Sequence, residues 1–181
     1  MRLEKMALCV IAAAATLASG CAHEPVITGP AAALPAGEDS AAFLDRMSSQ
    51  TAVSENDAMR GILLLLEGKD DARTFQQRVE LLRGKGIIDP SWDCNADKPV
   101  TKGRFAYMVY QACKFPGGVI LTLTGPSERY CLRELRYREV MAEGSAFSQV
   151  TGMEFVGVLG RVDVYIRTGQ LPSKSGQVEG R

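Results

Sequence analysis

VTKGRFAYMVYQA, residues Val100 to Ala112, opens with a helix-start signal and runs directly into an apolar, aromatic face. The same frame returns at Val150 as VTGMEFVGVLGRV. Both copies carry Val, Thr, three variable residues and Phe, with apolar residues three and four positions after the Phe. A frame that persists while the other letters change predicts a duplicated structural unit.

Each copy has the signals of a helix N-terminus. A Thr hydroxyl accepts a hydrogen bond from an unpaired backbone N–H of the first turn, so Thr101 and Thr151 are predicted N-caps. Glu154, three residues after Thr151, predicts a capping box. The Val before each cap and the Phe four residues into each helix predict hydrophobic staples, which fix the angle at which the helix leaves its loop.

The repeat extends further along the chain. A fainter third copy begins at Val53 in VSENDAMRGILLLL, with Ser54 as its cap and Ala58 in place of the Phe. Upstream of the clear copies, LLRGKGIID from Leu81 aligns with ELRYREVMA from Glu134. Each unit is therefore predicted to consist of a helix, a loop that ends in an apolar pair, and a second, capped helix.

The apolar periodicity predicts a mainly α fold: one compact domain of tandem helix-loop-helix units, two of them clear and one faint. One short strand or hairpin is predicted at GGVILTLTG, where Val119, Leu121 and Leu123 alternate between glycines. The predicted helices span about residues 41–49, 54–66, 72–84, 102–114, 127–138 and 152–168.

Residues 1–20 carry the features of a secretion signal. A basic start precedes an apolar run from Met6 to Ala18, which is shorter than the roughly 20 residues of a membrane-spanning helix. The segment LASGC, ending at Cys21, resembles the lipobox of bacterial lipoproteins, in which the signal peptidase cuts before a diacylated cysteine. That resemblance implies lipid attachment at Cys21 and a location in the cell envelope, at the outer membrane or the periplasmic face in a diderm host. An ordinary secretory signal with a chance cysteine is the alternative.

The rest of the chain divides into three parts. Residues 21–40 are rich in Ala, Pro and Gly and predict a flexible tether, residues 41–171 predict one helical domain, and residues 172–181 predict a disordered tail. Lys and Arg together number 21, as do Asp and Glu, and no basic stripe overrides this balance. The charge pattern therefore argues against a nucleic-acid partner.

The order of motifs in two units is similar to that of the S-layer homology (SLH) domain. KGII, Lys85 to Ile88, precedes VTKGRF, and REVM, Arg138 to Met141, precedes VTGMEF. The resemblance covers most of residues 41–168. It implies three units packed about a pseudo-threefold axis, and noncovalent binding of cell-wall glycan in grooves between units without catalysis.

The three copies differ from the family's Ile-Thr-Arg-Ala-Glu-Phe frame in their charges. Lys102 occupies the position of the family's Arg, so the resemblance implies that it meets an acidic group of a polymer. At the same position Glu55 reverses the charge and Gly152 removes it, while Arg104 replaces the family's Glu.

Four side chains are candidate ligand contacts, each with a structural alternative. Lys102 is otherwise a solvated first-turn residue. Tyr107 and Tyr110, three residues apart, form either a sugar-stacking platform or the edge of the core. Trp92, in DPSWDC, either marks a recognition loop or pins that loop to the core.

The sequence predicts neither catalysis nor a metal or cofactor. The only histidine, His23, lies in the tether, and no serine lies in a G-x-S-x-G elbow. With Cys21 acylated, Cys94, Cys113 and Cys131 allow at most one disulfide, and their wide spacing argues against zinc. The last two lie on apolar stretches and are predicted to be core residues.

The sequence therefore predicts a membrane-anchored, noncatalytic envelope lipoprotein whose helical domain binds cell-wall polysaccharide or peptidoglycan. The alternative is a structural or adaptor lipoprotein that docks another envelope protein. Cations and aromatic rings that face a groove favour a glycan, whereas a broad apolar patch favours a protein partner.

Overall fold

The computed structural model describes residues 39–116 and 119–172, without the side chains of residues 119, 120 and 122. The predicted signal peptide, nearly all of the tether and most of the tail lie outside the described residues. The described part of the chain is mainly helical, as predicted. Its helices are α1 (Ser40–Ser48), α2 (Glu55–Glu67), α3 (Phe75–Gly84), α4 (Lys102–Cys113), α5 (Val119–Thr124), α6 (Glu128–Tyr137) and α7 (Gly152–Thr168).

Side-chain caps set the starts of the three helices that share the repeated frame. Ser54, Thr101 and Thr151 each accept a hydrogen bond from the backbone N–H three residues later, at 3.1, 3.2 and 3.3 Å. All three caps were predicted, and the faint first copy starts its helix in the same way as the clear ones. The capping box predicted at Glu154 does not form. The Oε1 of Glu154 lies beside the ammonium of Lys102 instead.

The predicted strand at GGVILTLTG is wrong, because Val119–Thr124 form α5. Leu121 is buried whereas Leu123 is 80% exposed, so these two residues do not share a face as alternate residues of a strand would. The backbone N–H of Gly125 donates to the carbonyl of Leu121 at 3.1 Å. A segment with no neighbouring strand satisfies its backbone groups more readily within a helix than in an isolated strand.

The valines that precede the three caps form a closed ring of hydrogen bonds. Val100 N donates to Val53 O at 2.8 Å, Val53 N to Val150 O at 2.9 Å, and Val150 N to Val100 O at 3.1 Å. Each valine thus donates once and accepts once, and all three are 0–1% exposed. The three helix starts are therefore joined by one cyclic set of backbone hydrogen bonds.

The helices pack around this ring in two sets. The three helices of the repeated frame, α2, α4 and α7, all contact one another. One outer helix packs on each of them: α3 on α2, α6 on α4, and α1 on α7. Each outer helix precedes the inner helix of its own unit in the chain and packs on the inner helix of another unit. The short α5 packs on α6.

Three phenylalanines occupy the centre of the core. The ring centroids of Phe105 and Phe155 lie 5.3 Å apart, and Phe43 meets Phe155 edge-on at 6.3 Å. A Cβ on Gly61 would lie 2.4 Å from the Phe155 ring, so α2 approaches this ring closely because it lacks a side chain there. None of the helices in residues 39–116 and 119–172 combines the length and apolar character needed to cross a membrane.

Candidate functional site

Lys102 is buried and already paired, neither solvated nor free. It is the first residue of α4, is 8% exposed, and its Nζ lies 2.9 Å from Glu154 Oε1, in the first turn of α7. The same ammonium donates to the backbone carbonyl of Glu143 at 3.1 Å. Lys102 therefore joins the second unit to the third, and a direct contact with ligand stays a prediction.

A second ion pair occupies the equivalent position between the first and second units, with the charges exchanged. Glu55, the first residue of α2, is 2% exposed and pairs through Oε1 with a guanidinium nitrogen of Arg104 in the first turn of α4. Its Oε2 accepts from the backbone N–H of Asn95 at 2.9 Å. The two departures from the family frame at Glu55 and Arg104 are thus the two halves of one pair.

The third junction has no room for a side chain. Gly152 begins α7 and donates its backbone N–H to Gln50 O at 2.9 Å. A Cβ on Gly152 would lie 1.7 Å from the backbone oxygen of Met47, so only glycine fits. The missing charge at this copy is therefore a consequence of how closely α1 approaches α7.

Trp92 and Tyr107 pack together, while Tyr110 has other neighbours. The ring centroids of Trp92 and Tyr107 lie 5.2 Å apart, and the guanidinium of Arg104 lies 4.9 Å from the centre of the indole. Tyr110 lies 6.4 Å from the ring of Phe115. Tyr107 and Tyr110 are both buried, and burial raises the pKa of both hydroxyls.

These contacts favour the structural alternatives for the aromatic residues. The half-buried Trp92 pins its loop, because its backbone carbonyl also accepts from Arg83 at 2.8 Å. The hydroxyl of Tyr107 accepts a hydrogen bond from Gln111 at 3.4 Å, as expected at the edge of a core. Sugar stacking on Trp92, Tyr107 and Tyr110 stays a prediction.

The three internal cysteines are free thiols. Cys131 is fully buried, and burial raises its pKa and that of Cys113 to about 12. Burial also raises the pKa of Cys94. A thiol with a raised pKa is a poor nucleophile and a poor metal ligand at neutral pH. The described residues contain no group of three or more His, Cys, Asp and Glu side chains arranged for a metal.

A groove that the sequence did not single out lies between α6 and the loop before α7. Its volume is about 660 Å³. Arginines line it from the helix, and a short loop lines it from the other side; we call it the arginine groove. Its lining consists of Arg129, Tyr130, Leu132, Arg133, Arg136, Gly144, Ser145, Ala146 and Phe147.

The loop wall of the arginine groove is fixed to the first turn of α4. Gly103 N donates to Ala146 O at 2.9 Å, and Lys102 N donates to Ser148 O at 2.7 Å. The bond from Lys102 Nζ to Glu143 O secures the same loop at its start. Lys102, the residue for which the SLH resemblance implies a ligand contact, therefore holds one wall of this groove in place.

The helical half of the arginine groove was within reach of sequence analysis. Arg129, Arg133 and Arg136 are spaced by four and three residues, which places them on one face of a helix. The loop half was not, because its position depends on hydrogen bonds to α4. Comparisons with protein-family models, curated proteins and solved structures returned no match to this chain.

Proposed function

We propose that this chain is a lipid-anchored protein of the bacterial cell envelope whose helical domain binds cell-wall polysaccharide or peptidoglycan without catalysing a reaction. The observation that carries the proposal is the arginine groove of about 660 Å³, built against the first turn of α4. Ligand-binding clefts in proteins typically enclose about 300–1,000 Å³. The groove therefore has room for a short segment of a polymer.

The packing of the three units supports the SLH-like part of the proposal. The SLH resemblance implies units arranged about a pseudo-threefold axis, and the cyclic hydrogen bonding of the three equivalent valines supports such an arrangement. The exchanged ion pair between Glu55 and Arg104 keeps the contact between units where the sequence departs from the family frame. The tandem units are thus proposed to be divergent SLH-like repeats.

The test is cosedimentation of the full chain, in mild detergent, with isolated cell-wall sacculi before and after removal of their attached polysaccharide. Sedimentation that is lost on stripping indicates the polysaccharide, and sedimentation that survives it indicates peptidoglycan. Ser145→Trp should weaken sedimentation because it fills the arginine groove, whereas Gln76→Trp, on the exposed surface of α3, should not. A chain that stays in the supernatant with both kinds of sacculi would refute the proposal.

Lipid anchoring is tested independently of the ligand. Cys21→Ser removes the thiol to which the lipid would be attached and should release the protein from the membrane fraction. Cys94→Ser is the matched control and should leave the protein in that fraction. Continued membrane retention of Cys21→Ser would contradict the anchor.

A second candidate, docking of another envelope protein, is favoured by exposed apolar side chains, one of which lines the groove. Phe147 is 86% exposed and Met153 is 71% exposed. A photo-reactive residue at position 147 or 153 should then crosslink to one defined envelope protein in intact cells, and the same residue at position 76 should not. Crosslinks of equal yield at all three positions would remove this candidate.

A further inference from the structure

The arginines of α6 form a concentrated cationic face. Arg129, Arg133 and Arg136 project from one side of a ten-residue helix. Like charges at this spacing repel one another and destabilise an isolated helix. Arg136 is paired with Glu143, but Arg129 and Arg133 have no ion pair within the described parts of the chain. The groove therefore carries a net positive charge.

One nitrogen of the Arg136 guanidinium lacks an acceptor, although the group is paired with Glu143. The Nε of Arg136 is buried and has no hydrogen-bond partner among the described residues. An unsatisfied buried donor destabilises the fold, and more so when the group is charged.

The remaining lining suits a ligand with both charged and apolar surfaces. Tyr130 and Phe147 line the groove together with the arginines. The loop wall is rigid, because Lys102 and Gly103 hold it through three hydrogen bonds.

We infer that the arginine groove is a binding site for a wall polymer segment that carries carboxylate or phosphate groups, held by Arg129 and Arg133 with Tyr130 and Phe147 against its apolar surface. Guanidinium groups bind carboxylates and phosphates through paired hydrogen bonds, which neutral sugars cannot match. A concave groove accepts a polymer segment better than it accepts the flat surface of a bilayer. The inference rests on the proposed function for the source of the ligand and on the groove for its chemistry.

The test is calorimetric titration of the full chain in non-ionic detergent with three probes at low ionic strength. Hexagalacturonate supplies a carboxylated sugar chain, tripolyphosphate supplies phosphates, and maltohexaose is the neutral control. We expect at least one anionic probe to bind and maltohexaose not to bind. Binding of hexagalacturonate alone identifies a carboxylated polymer, and binding of tripolyphosphate alone identifies a phosphate-bearing one. Absence of binding by both anions, or equal binding of maltohexaose, overturns the inference.

Matched double substitutions locate the binding. Arg129→Gln with Arg133→Gln should weaken anion binding at least about tenfold, since hydrogen bonds to charged groups are stronger than those between neutral groups. Both side chains are exposed, so folding should be unaffected, as circular dichroism can verify. Arg73→Gln with Arg167→Gln removes the same charge from exposed positions elsewhere and should change the affinity less than twofold. Equal losses in the two double variants would indicate general charge attraction and overturn the site.

The same variants separate this inference from the proposed function. Anion binding through the groove by a chain that ignores sacculi would retain the groove as an anion site, overturn a wall polymer as its ligand, and refute wall binding. Sedimentation with sacculi that the groove substitutions leave unchanged would retain wall binding and overturn the groove as its site.

Discussion

At the scale of single residues, the residue type at the first position of α2, α4 and α7 is determined by the neighbouring unit that it contacts. Lys102 and Glu55 are long, buried and ion-paired there, whereas Gly152 has no space for even a methyl group. The same sequence position therefore carries three different side chains for one geometric reason. Each must fill the gap that its neighbouring unit leaves.

Gly152→Ala should destabilise the protein by about 3 kcal/mol, because α1 must move away from α7 to admit the added methyl group. Gly160→Ala, on the same helix, is the matched control: a Cβ there meets nothing within 4 Å. That substitution should raise stability by about 0.5–1 kcal/mol, through the higher helix propensity of Ala. Urea unfolding followed by circular dichroism measures both. Similar stabilities for the two variants would contradict the close approach of α1.

Cys131 should make the fold sensitive to alkaline pH. Burial holds its pKa at about 12, above the value of about 8.5 for an unfolded thiol. Because the folded pKa is the higher one, this contribution to stability is complete below about pH 8.5 and is lost as the pH rises towards 12. The loss per thiol approaches about 1.4 kcal/mol per pH unit within that window.

The measurement is the urea midpoint between pH 8 and pH 11. Cys131→Ala should flatten the decline of the midpoint, although it lowers stability at neutral pH by leaving a small cavity. Cys21→Ser, outside the described residues, should not alter the slope. An unchanged slope in Cys131→Ala would exclude this thiol as a source of the alkaline loss.

At the scale of the elements, helix starts are determined locally and their mutual positions are not. Ser54, Thr101 and Thr151 each cap their helix through a contact three residues away, so a short window of sequence contains both partners. The short helix α5 lacks such a signal, and its alternating apolar residues suggested a strand. No neighbouring strand exists within residues 39–116 and 119–172 to complete one.

Thr151→Ala should cost about 1 kcal/mol, because the first turn of α7 loses the acceptor for its Glu154 N–H. Thr151 is exposed, so the substitution removes little packing. Thr151→Ser keeps the hydroxyl, as Ser54 does in the first copy, and should restore nearly full stability. Equal losses for Ala and Ser in chemical unfolding would show that the cap does not set the start of α7.

At the scale of the whole molecule, the units are joined by contacts between residues far apart in sequence. The valine ring links Val53, Val100 and Val150, and the ion pairs lie directly beside it. Removing one partner of a buried pair leaves an uncompensated charge, which typically costs about 3–5 kcal/mol. The junctions are therefore expected to make the three units unfold together.

Exchanging the charges of one junction tests this coupling. Glu55→Lys and Arg104→Glu should each lower stability by about 3 kcal/mol, since each places like charges together in a buried site. The double variant has the polarity of the Lys102–Glu154 pair and should recover at least half of the summed loss. Denaturant unfolding of all four chains gives the coupling free energy, and simple additivity of the two losses would contradict a direct pair.

The sequence by itself determined the mainly helical class, the three helix starts and the repeat of the Val-Thr frame. Those features depend on caps and apolar spacing within a few residues. Only the tertiary structure decided that Lys102 is buried, that Glu55 matches Arg104, and that Gly152 must be glycine. It also placed a loop opposite the arginines of α6. These properties arise where separate units meet, and a contact between distant residues leaves no periodic signal in the sequence on either side.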